Sequence, residues 1–141
     1  MKSKIAILAV IITALMFTGC SNTGNDTQRN GVETKQVKYE NISPEDAKQR
    51  LDNEKGIILL DVRTQEEYDE KHIPDSILIP VDEIEEDAPA ELADKDATIF
   101  VYCRSGNRSV TASEVLVKMG YTKIYNLGGI IDWPYETETV K

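Results

Sequence analysis

The run Thr98-Ile99-Phe100-Val101-Tyr102 is β-branched and aromatic throughout, and it leads straight into Cys103-Arg104-Ser105-Gly106-Asn107-Arg108-Ser109. Such a run is a strand signal. A helical pattern follows, because Ala112, Val115, Leu116 and Met119 fall at i, i+3, i+4 and i+7, with Gly120 placed as a C-terminal cap. A strand, a short polar loop and an amphipathic helix in succession form the repeating unit of an α/β sheet, so this stretch alone points to that fold class.

The rest of the chain keeps the alternation. Ser43-Pro44-Glu45-Asp46 opens a helix, with Ser43 as cap, Pro44 at the first helical position and Asp46 set for a capping-box-like arrangement. Ala47 and Leu51 share its face, and it ends near Asn53. Ile57-Ile58-Leu59-Leu60 follows Gly56 as a strand buried on both faces, and it delivers Asp61 at its C-terminal end. Thr64 to Glu70 reads as a short charged helix, with Arg63 and Glu67 four apart and able to pair. Ser76 to Ile79 and Lys123 to Asn126 read as further strands. The alternation predicts one α/β domain with a mainly parallel sheet.

Composition sets bounds. A chain of 141 residues with 40% hydrophobic content suffices for one core and leaves no room for a second domain. The formal net charge of -9, from 25 acidic against 16 basic residues, repels phosphate backbones and argues against nucleic-acid binding.

The N-terminus reads as a secretory signal: Lys2 and Lys4 precede an apolar run of 13 residues, Ile5 to Phe17. That run is short for a membrane-spanning helix, which needs about 20 residues. Phe17-Thr18-Gly19-Cys20 resembles a bacterial lipobox, in which the cysteine is lipidated and becomes the new N-terminus. Acyl chains contribute roughly 0.8 kcal/mol per buried CH₂, and stable anchoring takes more than one. The expected organisation is a lipoprotein signal peptide over residues 1–19, lipidated Cys20 and a polar tether over 20–37, and a folded domain over 38–141. The corresponding location is the extracytoplasmic face of the cell membrane, with the bilayer as partner.

Cys103 carries the chemistry. It stands at the C-terminal edge of a parallel strand and faces a helix N-terminus, where ligands bind in open α/β sheets. Successive N–H groups of the loop can curl into an anion-binding nest above the positive end of the helix, and Gly106 supplies the freedom for that curl. The nest, the helix end and the guanidinium groups of Arg104 and Arg108 all favour the thiolate, which is the nucleophilic form. The same donors suit a persulfide and an anionic sulfur donor. Ser105, Gly106, Asn107 and the N–H groups up to Ser109 would form the cradle, and Arg104 and Arg108 would orient the anion. The alternatives are an inert buried thiol and arginines that merely pair with nearby carboxylates.

Asp61 and Arg63 suit a supporting role behind the pocket. His72, the single histidine, reads as structural, since zinc takes three or four protein ligands, and no metal or cofactor is expected. Trp133 reads as core packing.

Leu60-Asp61-Val62-Arg63 with Glu67-Tyr68, then His72-Ile73-Pro74 with Ile79-Pro80, the loop Cys103 to Arg108, and Leu127-Gly128-Gly129 with Trp133 resemble, in this order, the motifs of the rhodanese family. The resemblance covers roughly residues 39–133. Lys71 stands where the family usually carries Gly, and Asp75-Ser76 where it carries Gly-Ala. The resemblance implies a rhodanese-like, five-stranded, mostly parallel sheet flanked by helices, in a domain expected to be monomeric. It also implies a sulfurtransferase: a donor such as thiosulfate loads Cys103, and cyanide or a thiol unloads it. One rival is a Cdc25-like cysteine phosphatase or arsenate reductase, whose longer loop places five residues between Cys and Arg and which often carries His at the position of Tyr102. The other is a sulfur carrier, redox sensor or binding module without turnover, since an exposed low-pKa thiolate is also an oxidation target.

Overall fold

The computed structural model describes residues 38–140, so the leader, Cys20 and the tether lie outside the described residues. The elements run β1 (Glu40–Asn41), α1 (Pro44–Asn53), β2 (Ile58–Asp61), α2 (Gln65–Glu70), β3 (Ile77–Leu78), α3 (Ile84–Glu91), β4 (Thr98–Cys103), α4 (Asn107–Lys118) and β5 (Lys123–Gly129). The sheet has five strands in the order β1-β5-β4-β2-β3, and every pairing is parallel. This is the α/β sheet expected from the alternation.

Local chemistry sets the element ends. Ser43 caps α1 by accepting from the Asp46 N–H at 3.1 Å, while its hydroxyl donates to the Asp46 carboxylate at 2.9 Å. The true capping box is at α2: the Thr64 hydroxyl accepts from the Glu67 N–H and the Glu67 carboxylate accepts from the Thr64 N–H. The Arg63–Glu67 pair that the spacing permits is not formed, because each side chain is engaged elsewhere. Arg63 sits on buried Asp61, and Glu67 takes the guanidinium of Arg108.

Two elements escape the sequence pattern. β1 is a two-residue exposed strand with no apolar signal. α3 lies in the stretch between Ile79 and Thr98, and its own four acidic residues and internal Pro89 hide a narrow buried seam of Ile84 and Ala88, continued by Leu92 beyond its end. That seam is tied to the rest by Tyr121, whose hydroxyl lies 3.0 Å from the Ala88 carbonyl and 2.9 Å from that of Leu92.

The pleat of β4 divides the core. Ile99, Val101 and Cys103 pack with Leu60, Ala112, Leu116 and Ile124 on one face. Phe100 and Tyr102 pack with Ala47, Leu59, Leu127 and Trp133 on the other. Cys103 is thus directed to the face that α4 covers, at the sheet's C-terminal edge. A register shift between Val101 and Tyr102 then sets Tyr102 against Gly128 and Cys103 against Gly129.

His72 holds a turn. Its ring stacks on Tyr68 with centroids 4.0 Å apart, its Nδ1 lies 2.9 Å from the Tyr68 carbonyl, and its backbone exchanges two hydrogen bonds with Glu138. Trp133 packs in the core, and its indole N–H donates to the Glu136 carbonyl at 3.3 Å.

Candidate active site

The loop from Arg104 to Gly106 curls over the end of β4. Gly106 has φ 101, a left-handed conformation that side-chain-bearing residues rarely adopt, and it serves as N-cap of α4. The curl turns the Gly106 N–H back onto the sulfur, 3.1 Å from Cys103 Sγ. Cys103 is only 1% exposed. Burial pushes its thiol up, but the N–H groups of Ser109, Gly106 and Ser105 and the Ser109 hydroxyl outweigh that, and the net effect lowers its pKa. An inert core thiol in apolar surroundings would shift the other way.

The second wall of the cradle is Gly129. A Cβ there would stand 2.6 Å from the Arg104 carbonyl oxygen and 2.8 Å from the Ser105 Cα, so only glycine lets β5 approach the loop this closely. Ser109 is a further contributor that a reading of side-chain charge overlooks. It is fully buried, and its hydroxyl donates to the Gly106 carbonyl at 2.8 Å and lies 3.3 Å from that of Gly128. A serine in an amphipathic helix pattern gives little signal; its position two residues into the helix beside a nest is the clue.

The two arginines part company. Arg108 is bound in a fork to Glu67, at 2.7 and 2.8 Å. Arg104 is exposed and, among the described residues, its side chain makes no ion pair or hydrogen bond. It borders a small recess of about 250 Å³ beside the loop, with Arg63, Lys71 and Ile131. Asn107 is exposed at the first turn of α4.

Asp61 and Arg63 form a buried ion pair, 2.6 Å between Arg63 Nη2 and Asp61 Oδ2. The same nitrogen donates to the Lys71 carbonyl at 2.6 Å, so the pair fixes the α2–β3 connection. The Tyr102 hydroxyl, 3.1 Å from the Ile73 N–H and 3.0 Å from Ser76 Oγ, completes that buried polar group. Among the described residues no cluster of three His, Cys, Asp or Glu side chains has the spacing of a metal site.

The fold is a parallel α/β sheet that presents Cys103, its pKa lowered, to the backbone N–H groups of the loop that follows. The chain belongs to the family of the rhodanese-like domain, whose model matches residues 43–135. It is 41% identical over 98 residues to the putative sulfur carrier protein YrkF of Bacillus subtilis, covering 69% of this chain and 52% of that one. It is also 41% identical over 73 residues to the thiosulfate sulfurtransferase PspE of Escherichia coli, covering 52% and 70%. The chain therefore spans about half of the first relative's length and more of the second. Among solved structures it resembles a rhodanese with anions from E. coli, at TM-score 0.56 and 36% identity over 59% of this chain and 98% of that one.

Proposed function

We propose that this protein is a sulfurtransferase that carries sulfane sulfur as a persulfide on Cys103. The observation that carries the reading is the Gly106 N–H aimed at Cys103 Sγ inside a loop whose other N–H groups also favour the anion. The Cys103 thiolate attacks the terminal sulfur of a donor such as thiosulfate. The donor's S–S bond breaks, sulfite leaves with the electron pair, and Cys103 holds the sulfur. A thiolate or cyanide then attacks the outer sulfur, the new S–S bond breaks, and the electron pair returns to Cys103. Electrons balance without an outside oxidant.

The cradle supports this order of events. Cys103 is nearly inaccessible, which favours a donor with a protruding terminal sulfur over a bulky group. Four residues separate Cys103 from Arg108, and Arg108 is already bound to Glu67, which leaves a smaller anion site than a phosphatase loop offers. Arg104 is the cation positioned to attract the donor. We further propose that lipidated Cys20 and the polar stretch to Val37 hold this domain at the extracytoplasmic face of a membrane, a reading that rests on the signal-like N-terminus.

The test is intact-mass analysis of the chain lacking its first 20 residues after exposure to thiosulfate. One added sulfur on the wild type, none on Cys103→Ser, and discharge by cyanide or a thiol are expected. A folded, reduced protein that takes no sulfur from thiosulfate or polysulfide overturns the reading.

A further inference from the structure

A cleft of about 830 Å³ lies away from Cys103, on the opposite side of the sheet, between α1 and the segment after β5. Leu59, Ile73 and Trp133, all members of the core cluster on that side, form its inner surface, with Leu51 and Tyr135 beside them. Cys103 belongs to the other cluster, so the sheet separates the two sites.

The cleft has a built chemical character. The Trp133 and Tyr135 rings meet edge to face with centroids 5.0 Å apart, and aromatic faces attract cations. Lys48 Nζ already stands 5.8 Å from the Tyr135 ring centre. The polar rim is lopsided. Lys48 is neutralised by its ion pair with Asp52, whereas Asp75 and Glu136 make no side-chain hydrogen bond or ion pair among the described residues. Two uncompensated carboxylates thus overhang an apolar, aromatic floor.

Asp75 is also held at a local cost. Its φ of 61 makes it the one non-glycine residue in the left-handed region among those described, where glycine carries no steric penalty. A carboxylate there adds negative charge at the cleft, and nothing else in its surroundings uses it.

We infer that this cleft is a second binding site, for a small organic cation whose apolar body lies against Trp133, Leu59 and Ile73 and whose ammonium group faces Asp75 and Glu136. The assignment stands independently of any chemistry at Cys103.

Trp133 is the only tryptophan in the chain, so its fluorescence reports this cleft alone. The probe is 2-phenylethylammonium at neutral pH, titrated into the protein and compared with uncharged 2-phenylethanol. Saturable quenching or shift is expected, with the ammonium binding about tenfold more tightly than the alcohol, and this preference should shrink as salt is raised. Asp75→Gly should lose most of the preference while melting at the same or a higher temperature, since glycine relieves the left-handed strain. Glu136→Gln should weaken binding in the same direction, and Cys103→Ser should leave it unchanged. Equal affinity for the alcohol, an absence of saturable response to the ammonium, or undiminished preference in folded Asp75→Gly and Glu136→Gln would each overturn the assignment.

Discussion

Glu67 and Arg108, 41 positions apart in sequence, close a two-pronged ion pair that fastens α2 to the first turn of α4, with Nη1 to Oε2 at 2.7 Å and Nη2 to Oε1 at 2.8 Å. Glu67 is also the carboxylate of the α2 capping box, accepting from the Thr64 N–H at 3.1 Å. One side chain therefore sets both a helix start and the flank of the loop that follows Cys103. Glu67→Gln should lower stability by about 1 kcal/mol, the upper end for a partly exposed pair with bidentate geometry. Arg108→Ala should cost a similar amount, and the double variant little more than either single one. Urea denaturation of the three proteins checks this; full additivity would mean that the pair contributes nothing.

The pair also sets a pH dependence. The Arg108 guanidinium bonded to Glu67 holds its carboxyl down at about 2. The unfolded chain has an ordinary glutamate value near 4.3, so the folded state binds fewer protons in between. The stabilisation is present above the unfolded value and is lost as pH falls from there toward about 2. The stability gap between wild type and Glu67→Gln should accordingly be full at neutral pH and should narrow as the medium is acidified through that window. Denaturation curves at neutral and at acidic pH would expose a gap that stays constant, and that result would remove Glu67 as the titrating group.

Arg104 has the opposite character, with an exposed guanidinium that no carboxylate engages among the described residues. A charge in that setting steers and holds an anion without shaping the loop. Arg104→Ala should raise KM for thiosulfate roughly tenfold, or about 1.4 kcal/mol, while kcat changes little and the melting temperature stays put. The salt dependence of kcat/KM should flatten as well. Steady-state kinetics at low and high ionic strength decide it; a fall in kcat at constant KM would place Arg104 in the chemical step instead.

The parts of this architecture that are legible in the sequence share a physical basis. The strand Thr98 to Tyr102 and the stripe of Ala112, Val115, Leu116 and Met119 announce themselves because burial imposes periodicity on residue type. Ser43, Gly106 and Gly120 announce themselves because caps and left-handed turns demand particular residues. β1 was not legible, since Glu40 and Asn41 are exposed and owe their strand to pairing with Tyr125 and Asn126. α3 was not legible, since its buried seam is only one residue wide per turn. At the site, Cys103 and its loop could be read from local sequence. The pairing of Arg108 could not, because its partner lies on another element and a nearer candidate, Arg63, competes for Glu67 on sequence spacing alone. The cradle's dependence on Gly129 was equally hidden, because closeness of two backbones leaves no mark on either side chain.

Tyr102 offers a way to separate support from chemistry. Its hydroxyl serves the buried Ile73 N–H and Ser76 Oγ, and burial and the nearby Asp61 charge push its pKa up, so it stays neutral at any working pH. Tyr102→Phe leaves the Ile73 N–H without that acceptor and should destabilise the fold by roughly 1–3 kcal/mol. Sulfur transfer per folded molecule should be unchanged, because Tyr102 points to the face of the sheet that Cys103 does not share. Thermal melts alongside single-turnover loading test both halves, and a lost loading rate at retained fold would give the hydroxyl a catalytic part.

Gly129→Ala addresses the cradle directly. The added Cβ would fall 2.6 Å from the Arg104 carbonyl oxygen, 2.8 Å from the Ser105 Cα and 3.0 Å from the Ser105 carbonyl carbon, all of them backbone atoms that cannot swing aside. Either β5 or the loop must move, and overpacking of this kind costs typically 1–3 kcal/mol. If the loop moves, the N–H groups of Ser105 and Gly106 withdraw from the sulfur, while the burial that opposes the thiolate remains. The pH profile of Cys103 alkylation by iodoacetamide should then shift upward relative to wild type, and loading by thiosulfate at neutral pH should slow in proportion to the lost thiolate. A variant that is destabilised yet alkylates with the wild-type profile would show that β5 yields instead, and that the loop keeps its curl through Gly106 and the Ser109 hydroxyl without help from the facing strand.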